Sequence, residues 1–157
     1  MRTRKIKFRG KRVDNGEWVY GHLITNKLGL WIIDEENPHY CSEYGYMEIS
    51  LPKRVKPETV GQFTGLKAVN GKEIYEGDIV EMESEYDAYG DPYQPSIDRL
   101  YTGEVVITGT KGACLKNPKF LDRINDEYNR IYYYKGIIAS KCKVIGNIHD
   151  NPEQLKK

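Results

Sequence analysis

The feature that most constrains the fold is a series of short apolar runs, each bounded by turn-forming residues. Residues 46–51 alternate between apolar and polar side chains, as a strand with one buried and one wet face does. Residues 17–24 show a similar alternation, and the continuous apolar run at residues 30–33 is typical of a fully buried strand. Strands of this length separated by turns predict a mainly β protein.

One short helix is predicted, over residues 119–128. Asn117 is suited to cap it, and Pro118 to occupy its first position, where a missing N–H costs nothing. The apolar residues that would share one face recur at four-residue spacing: Phe120, Ile124 and Tyr128.

Two segments are predicted to connect strands. Asn70-Gly71 favours a tight hairpin in which both central residues have positive φ. Residues 84–98 are polar and contain Gly90, Pro92 and Pro95, so we expect a surface loop or insertion. It would join two paired strands at roughly residues 77–83 and 99–109.

The length and charge limit the classes of function. A chain of 157 residues has the usual size of one domain, which predicts a single domain over residues 1–157. Its 24 basic and 23 acidic residues argue against a strong overall electrostatic attraction to nucleic acid. They do not exclude binding through a local basic patch. No apolar stretch has the length of a signal peptide or a membrane span, so a cytoplasmic protein with no membrane contact is expected.

The cysteines indicate no cross-link. Cys41, Cys114 and Cys142 are odd in number and lack the paired spacing of a zinc site. We expect three reduced thiols that are dispensable for folding.

Several stretches in a fixed order resemble the YopX family of proteins encoded by phages and prophages. The densest is Glu58-Thr59-Val60-Gly61-Gln62-Phe63-Thr64-Gly65-Leu66-Lys67, continued by Asn70-Gly71-Lys72-Glu73-Ile74-Tyr75-Glu76-Gly77-Asp78-Ile79-Val80. The opening and the close of the chain agree with the family at residues 7–9, 17–21, 144–148 and 151–153. The resemblance implies a mostly β fold with a barrel-like core, and an origin in a phage within a bacterial host cell. It supplies no established activity. The entry into a strand at residues 77–80 also suggests, by analogy, a small barrel of the SH3-like kind.

The strongest positive cluster lies at the N-terminus. Its basic side chains would contact phosphate, and two aromatic residues nearby in sequence would stack on bases. The candidate nucleic-acid contacts are Arg4, Lys5, Lys7, Arg9, Trp18 and Tyr20. The alternative is an ordinary solvated terminal strand, which the near-zero net charge favours.

A second candidate surface is the tyrosine run Tyr132, Tyr133 and Tyr134. It would serve as an interface, with alternation along a strand turning at least one ring away from the other two. The alternative is that the run is half core and half interface.

No residue is predicted to be catalytic, and no cofactor or metal is expected. His22, His39 and His149 lack the spacing of a metal pair. Alternate carboxylates at Glu81, Glu83 and Glu85 would share one face of a strand. A solvated edge that discourages aggregation is the simpler interpretation of this acidic run.

Three functions therefore follow from the sequence. The first is a non-catalytic phage accessory protein that binds an unknown phage or host protein or assembles as a homo-oligomer. The second is a nucleic-acid-binding module that uses the basic N-terminal strand. The third, which the sequence supports least, is an enzyme with a metal held by the acidic run.

Overall fold

A computed structural model describes residues 5–34, 39–41, 46–48, 51–86, 97–123 and 126–156. The strands are β1 (Phe8–Lys11), β2 (Trp18–Asn26), β3 (Gly29–Asp34), β4 (His39–Cys41), β5 (Tyr46–Glu48), β6 (Lys53–Val55), β7 (Gly61–Lys67), β8 (Glu73–Tyr75), β9 (Asp78–Tyr86), β10 (Ile97–Thr108), β11 (Gly112–Asp122), β12 (Glu127–Arg130), β13 (Tyr134–Gly136) and β14 (Cys142–Asn147). Three short 3₁₀ helices span Pro57–Thr59, Ala139–Lys141 and Pro152–Leu155. These ranges contain no α-helix, so the mainly β prediction is confirmed. None of the described helices has the length and apolarity that crossing a bilayer requires.

The strands form two antiparallel six-stranded sheets and one two-stranded sheet. The first sheet has the order β6-β3-β2-β1-β7-β8. The second has the order β12-β11-β10-β9-β14, with β13 pairing to β11, and β4 pairs with β5 separately. By internal packing the chain divides into two compact units, Met1–Gly65 and Leu66–Lys157, and β7 runs across the boundary. That the chain is one domain stays a prediction.

The core of unit 1 lies on one face of its sheet. Val19, Ile32 and Val55 are buried there, and Phe8 and Leu23 pack against them. The end of β1 turns toward β6 through one isolated bridge between Arg12 and Val55. A single bridge is not a ladder, so both sheets stay open among the described residues. The barrel-like core that was predicted is therefore not found as a closed barrel.

Unit 2 has its own core, formed between β9, β10, β11 and β14. The side chains that share it alternate along each strand, as the period of two requires. Its buried members are Ala68, Ile74, Val80, Met82, Tyr101, Val105, Leu115, Cys142 and Val144. Cys114 and Cys142 are free thiols in agreement with the prediction of no cross-link, and both are buried, whereas nothing is described for the Cys41 side chain.

The predicted helix over residues 119–128 is wrong. Asn117 and Pro118 lie inside β11, at a bulge where they oppose the single residue Gly103. Asn117 adopts a φ of 41°, and a β-carbon added to Gly103 would lie 3.0 Å from Pro118 Cβ. The Asn-Pro pair therefore marks a β-bulge, and the positive φ of Asn117 fits this, because bulges often contain a residue outside the usual strand conformation. Residues beyond the bulge continue as strand and return through β12.

The hairpin at Asn70-Gly71 is confirmed, but its geometry differs from the prediction. Gly71 has a φ of 79°, whereas Asn70 has no positive φ. The Gly71 N–H donates to Ala68 O at 2.9 Å, so Val69 and Asn70 are the central residues of the turn. A type I turn followed by a left-handed glycine suits a three-residue hairpin loop.

The two strands predicted to flank the loop do pair. β9 and β10 pair without a register shift, from the partners Ile79 and Glu104 at one end to the partners Tyr86 and Ile97 at the other. Residues 84–86 and 97–98, which were assigned to the loop, belong to these strands. The rest of the predicted loop, residues 87–96, lies outside the described residues.

Candidate nucleic-acid interface

The basic N-terminal strand and the aromatic residues of β2 share one face of unit 1. Arg9 lies opposite Tyr20, and Lys11 lies opposite Trp18. Directly opposed residues of an antiparallel pair project to the same side of the sheet. Val19 lies between the two rings in sequence and points the other way, into the core. Alternation in β2 therefore separates a core face from an outer cationic face.

Basic side chains lie over the rings on this face. The Arg9 guanidinium carbon is 4.8 Å from the centroid of Trp18, and Lys11 Nζ is 5.4 Å from the same centroid. Lys7 Nζ is 5.7 Å from the Tyr20 centroid. These distances fall within the range in which a cation is attracted by the electron-rich ring face. The contacts therefore favour the observed positions of the Trp18 and Tyr20 rings.

The same face extends to the next two strands. In register, Ile24 of β2 opposes Trp31 of β3, and Trp31 opposes Arg54 of β6. The Arg54 guanidinium carbon is 6.0 Å from the Trp31 centroid. The sequence interpretation missed Trp31 and Arg54 because residues 30–33 were assigned to a fully buried strand. We call the complete set the cation–aromatic face: Lys7, Arg9, Lys11, Trp18, Tyr20, Trp31 and Arg54.

Exposure differs across the cation–aromatic face. Lys7 and Arg9 are only 5% exposed, and both pack against the rings. Lys11 is half-buried, as are all three rings, and Arg54 is exposed. Among the predicted contacts, Lys5 is exposed, and Arg4 lies outside the described residues. Lys11 and Arg54 are therefore the more exposed cations of the cation–aromatic face, and Arg54 Nη2 also donates to Leu28 O at 3.2 Å.

The adjacent turn does not add a cation to this face. Arg12 Nη2 lies 2.5 Å from an Asp14 carboxylate oxygen and Arg12 Nη1 lies 3.8 Å from Glu17. The hydrogen bond from Arg12 lowers the pKa of Asp14, and that bond likewise raises the pKa of Arg12. Arg12 is thus engaged within the turn.

The tyrosine run lies in unit 2, beside the outer edge of the second sheet. Tyr132 is 80% exposed, Tyr133 58% and Tyr134 44%. Only Tyr134 belongs to a strand, so strand alternation does not turn one ring inward. Ile131, the preceding residue, packs against the core of unit 2. The described surface therefore presents all three rings to solvent.

Two carboxylates of the acidic run on β9, those of Glu81 and Glu83, lie near basic residues of unit 2. Glu83 Oε1 accepts a hydrogen bond from Arg123 Nη2 at 2.7 Å. Glu81 lies opposite Lys143 in the pairing of β9 with β14. Within the described ranges no group of three His, Cys, Asp or Glu side chains could hold a metal ion.

Comparison with known proteins finds one matching family and one similar solved structure. The sequence matches the family described as YopX protein over residues 7–156. No curated protein matches the chain. Among solved structures, the crystal structure of protein EF1440 from Enterococcus faecalis is similar, at 21% identity and a TM-score of 0.47. That match covers 98% of this chain and 99% of the other.

Proposed function

Because this chain belongs to the YopX family, we propose that it is a non-catalytic accessory protein of a phage or prophage. It acts by binding in the cytoplasm of the bacterial host, and its ligand is single-stranded nucleic acid held on the cation–aromatic face. This assignment departs from the sequence-based ranking, in which nucleic-acid binding came second. The packing of three rings with basic side chains on one sheet face is the observation that carries it.

Stacking and charge are the two interactions that bind single strands without reading their sequence. Trp18, Tyr20 and Trp31 lie beside cations on the outer side of the sheet, and part of each ring is exposed. A base that stacks on an aromatic side chain contributes about 1–3 kcal/mol, whatever its identity. Lys11 and Arg54 lie beside the rings, within reach of the phosphates that link such bases.

The distribution of charge supports this surface although the total charge is near zero. Residues 1–65 hold 11 basic and 8 acidic side chains, whereas residues 66–157 hold 13 and 15. The positive excess therefore lies in the unit that carries the cation–aromatic face. A local basic excess raises the concentration of nucleic acid near that surface.

Intrinsic fluorescence tests the proposal directly, because both tryptophans of the chain, Trp18 and Trp31, lie on this face. Titration with a single-stranded oligothymidine should quench the fluorescence, and the apparent affinity should fall as salt is raised. Lys11→Gln together with Arg54→Gln should weaken binding about tenfold and flatten the salt dependence, since each removes a phosphate partner.

The matched control removes two positive charges from exposed turns of unit 2, by Lys72→Gln and Lys111→Gln. This variant should bind like the parent. Absence of quenching at low salt, or equal loss of affinity in both double variants, would contradict the proposal.

A second candidate function is self-assembly through the tyrosine run. β12 is an edge strand whose four residues are all exposed, and the neighbouring rings of Tyr132 and Tyr133 are exposed as well. Edge strands and exposed aromatic surface are both typical of association between chains. An assembly through this edge would place several copies of the cation–aromatic face on one particle.

A further inference from the structure

Unit 2 contains a cleft of about 530 Å³ that belongs to neither surface described above. It lies where β9 continues past the start of β14. Cys142, the first residue of β14, opposes Met82, whereas β9 pairs with β10 as far as Tyr86. The strand after Met82 thus loses its neighbour on the β14 side among the described residues. Two further parts of unit 2 line this cleft: the 3₁₀ helix Ala139–Lys141, and Val69, whose N–H donates to Cys142 O at 2.9 Å.

Four basic side chains line this cleft against two carboxylates. The basic residues are Arg99, Arg123, Lys141 and Lys143, and the acidic residues are Glu81 and Glu83. Ser84 and Ser140 add hydroxyl groups that can donate hydrogen bonds. The unit as a whole carries more acidic than basic residues, so this local excess runs against the average charge around it.

The two arginines are already held by neighbours. Arg123 binds Glu83 at 2.7 Å, and Arg99 lies 3.9 Å from Asp122 with its guanidinium over the Phe120 ring at 4.3 Å. These contacts fix the walls of the cleft.

Lys141 and Lys143 are different, because neither forms an ion pair with any residue that the structure describes. Both are exposed, and they flank Cys142: Lys141 is the last residue of the 3₁₀ helix and Lys143 is the second residue of β14. Because Glu83 is paired with Arg123, these two ammonium groups and the Glu81 carboxylate together leave the cleft with a net charge of about +1.

We propose that this cleft binds a small molecule bearing a phosphate monoester. Such a group carries about −1.5 to −2 charges at neutral pH and offers three strong acceptor oxygens. Lys141 and Lys143 supply charged hydrogen-bond donors for this group, and the hydroxyl of Ser140 supplies a further donor. The volume lies within the 300–1,000 Å³ typical of small-ligand pockets, so it accommodates more than the phosphate group alone. Val69 and Leu100 provide apolar wall for the remainder of the ligand.

Titration with glycerol phosphate, monitored by amide chemical shifts, tests the proposal. Glycerol and lactate serve as the uncharged and singly charged controls. Glycerol phosphate should shift the amides of residues 140–143 at millimolar concentration, and neither control should do so. Lys141→Gln with Lys143→Gln should raise the Kd about tenfold, because charge-assisted hydrogen bonds are the strong ones.

The control variants separate this site from the cation–aromatic face. Lys72→Gln with Lys111→Gln changes the net charge equally and should leave the Kd within about twofold, since both side chains are exposed and absent from the cleft. If binding is lost in Lys11→Gln with Arg54→Gln and kept in the Lys141/Lys143 variant, the anion binds unit 1 and the proposal is overturned. Equal shifts with lactate, or none with any probe, overturn it as well.

Discussion

At the scale of single residues, Gly21 shows how closely the first sheet is packed. It has a φ of 154°, and a β-carbon there would lie 1.8 Å from the backbone oxygen of Ile33. That oxygen belongs to the β2–β3 ladder and cannot move without breaking it. Gly21→Ala is therefore expected to lower the free energy of unfolding by about 3 kcal/mol or more.

Gly71→Ala is the matched comparison for Gly21→Ala in urea unfolding. Gly71 has a φ of 79° but no atom within 4 Å of an added β-carbon. Only the strain of a left-handed alanine remains there, which costs about 1–2 kcal/mol. Equal losses of stability in the two variants would show that the close approach at Gly21 is relieved elsewhere.

Cys142 predicts a dependence of stability on alkaline pH. Burial raises the pKa of its thiol from 9.0 to about 11 in the folded protein. Below pH 9 both states keep the proton, so the contribution of the thiol to stability is complete. Between pH 9 and 11 the unfolded chain releases the proton first, and the free energy of unfolding falls.

Measuring urea unfolding of the parent and of Cys142→Ala from pH 8 to 10.5 isolates this effect. The variant should be less stable at pH 8 because a buried group is removed. Its stability should decline less steeply with pH than that of the parent. Parallel curves for the two proteins would refute the assigned role of the thiol.

The residues of the candidate interface were partly recoverable from the sequence. Lys7, Arg9, Trp18 and Tyr20 were predicted together, because strand alternation is a local rule that their spacing obeys. Their close packing was not predicted, since the register that sets Arg9 beside Trp18 depends on pairing across a turn. The third ring, that of Trp31, joins the face through the β2–β3 register.

At the scale of elements, the strands of the first sheet were the easier ones to predict. β2 and β3 follow clear apolar patterns and appear close to their predicted positions. β11 was missed because Asn117-Pro118 carries the same local signal as a helix start. Whether Asn117-Pro118 forms a β-bulge or a helix cap depends on the partner strand. There Gly103 has no β-carbon, so Pro118 can pack closely against it.

The β9–β10 hairpin predicts that residues 87–96 are dispensable for folding. Tyr86 and Ile97 are register partners, so the two strand ends are already adjacent. Replacement of residues 87–96 by Asn-Gly should form a two-residue hairpin loop without moving either strand. The closure entropy of a loop changes only slowly with its length, so the Tm should stay within a few degrees.

Thermal unfolding by circular dichroism measures this outcome, with an Asn-Gly insertion between Gly109 and Thr110 as the control for a change in loop length. A loss of cooperative unfolding in the shortened protein alone would show that residues 87–96 contribute to the core.

At the scale of the whole molecule, the exposed edge of the second sheet predicts self-association. Tyr128 of the edge strand β12 is 69% exposed, and the nearby Tyr132 and Tyr133 are 80% and 58% exposed. Burial of such rings against a second copy is favourable by about 25 cal/mol per Å² of apolar area. We expect light scattering at micromolar to millimolar concentration to give a mass of at least two copies of the 18.2 kDa chain.

The substitutions Tyr132→Ser and Tyr133→Ser remove the two most accessible rings of the run without touching the core, because Ile131 is the neighbour that packs there. They should shift the protein toward the monomer and leave its Tm nearly unchanged, since both side chains are exposed. Tyr20→Ser is the control, as it removes a ring of the cation–aromatic face instead. A monomer in the parent protein, or an oligomer that persists in the Tyr132/Tyr133 variant, would show that this edge does not join copies of the chain.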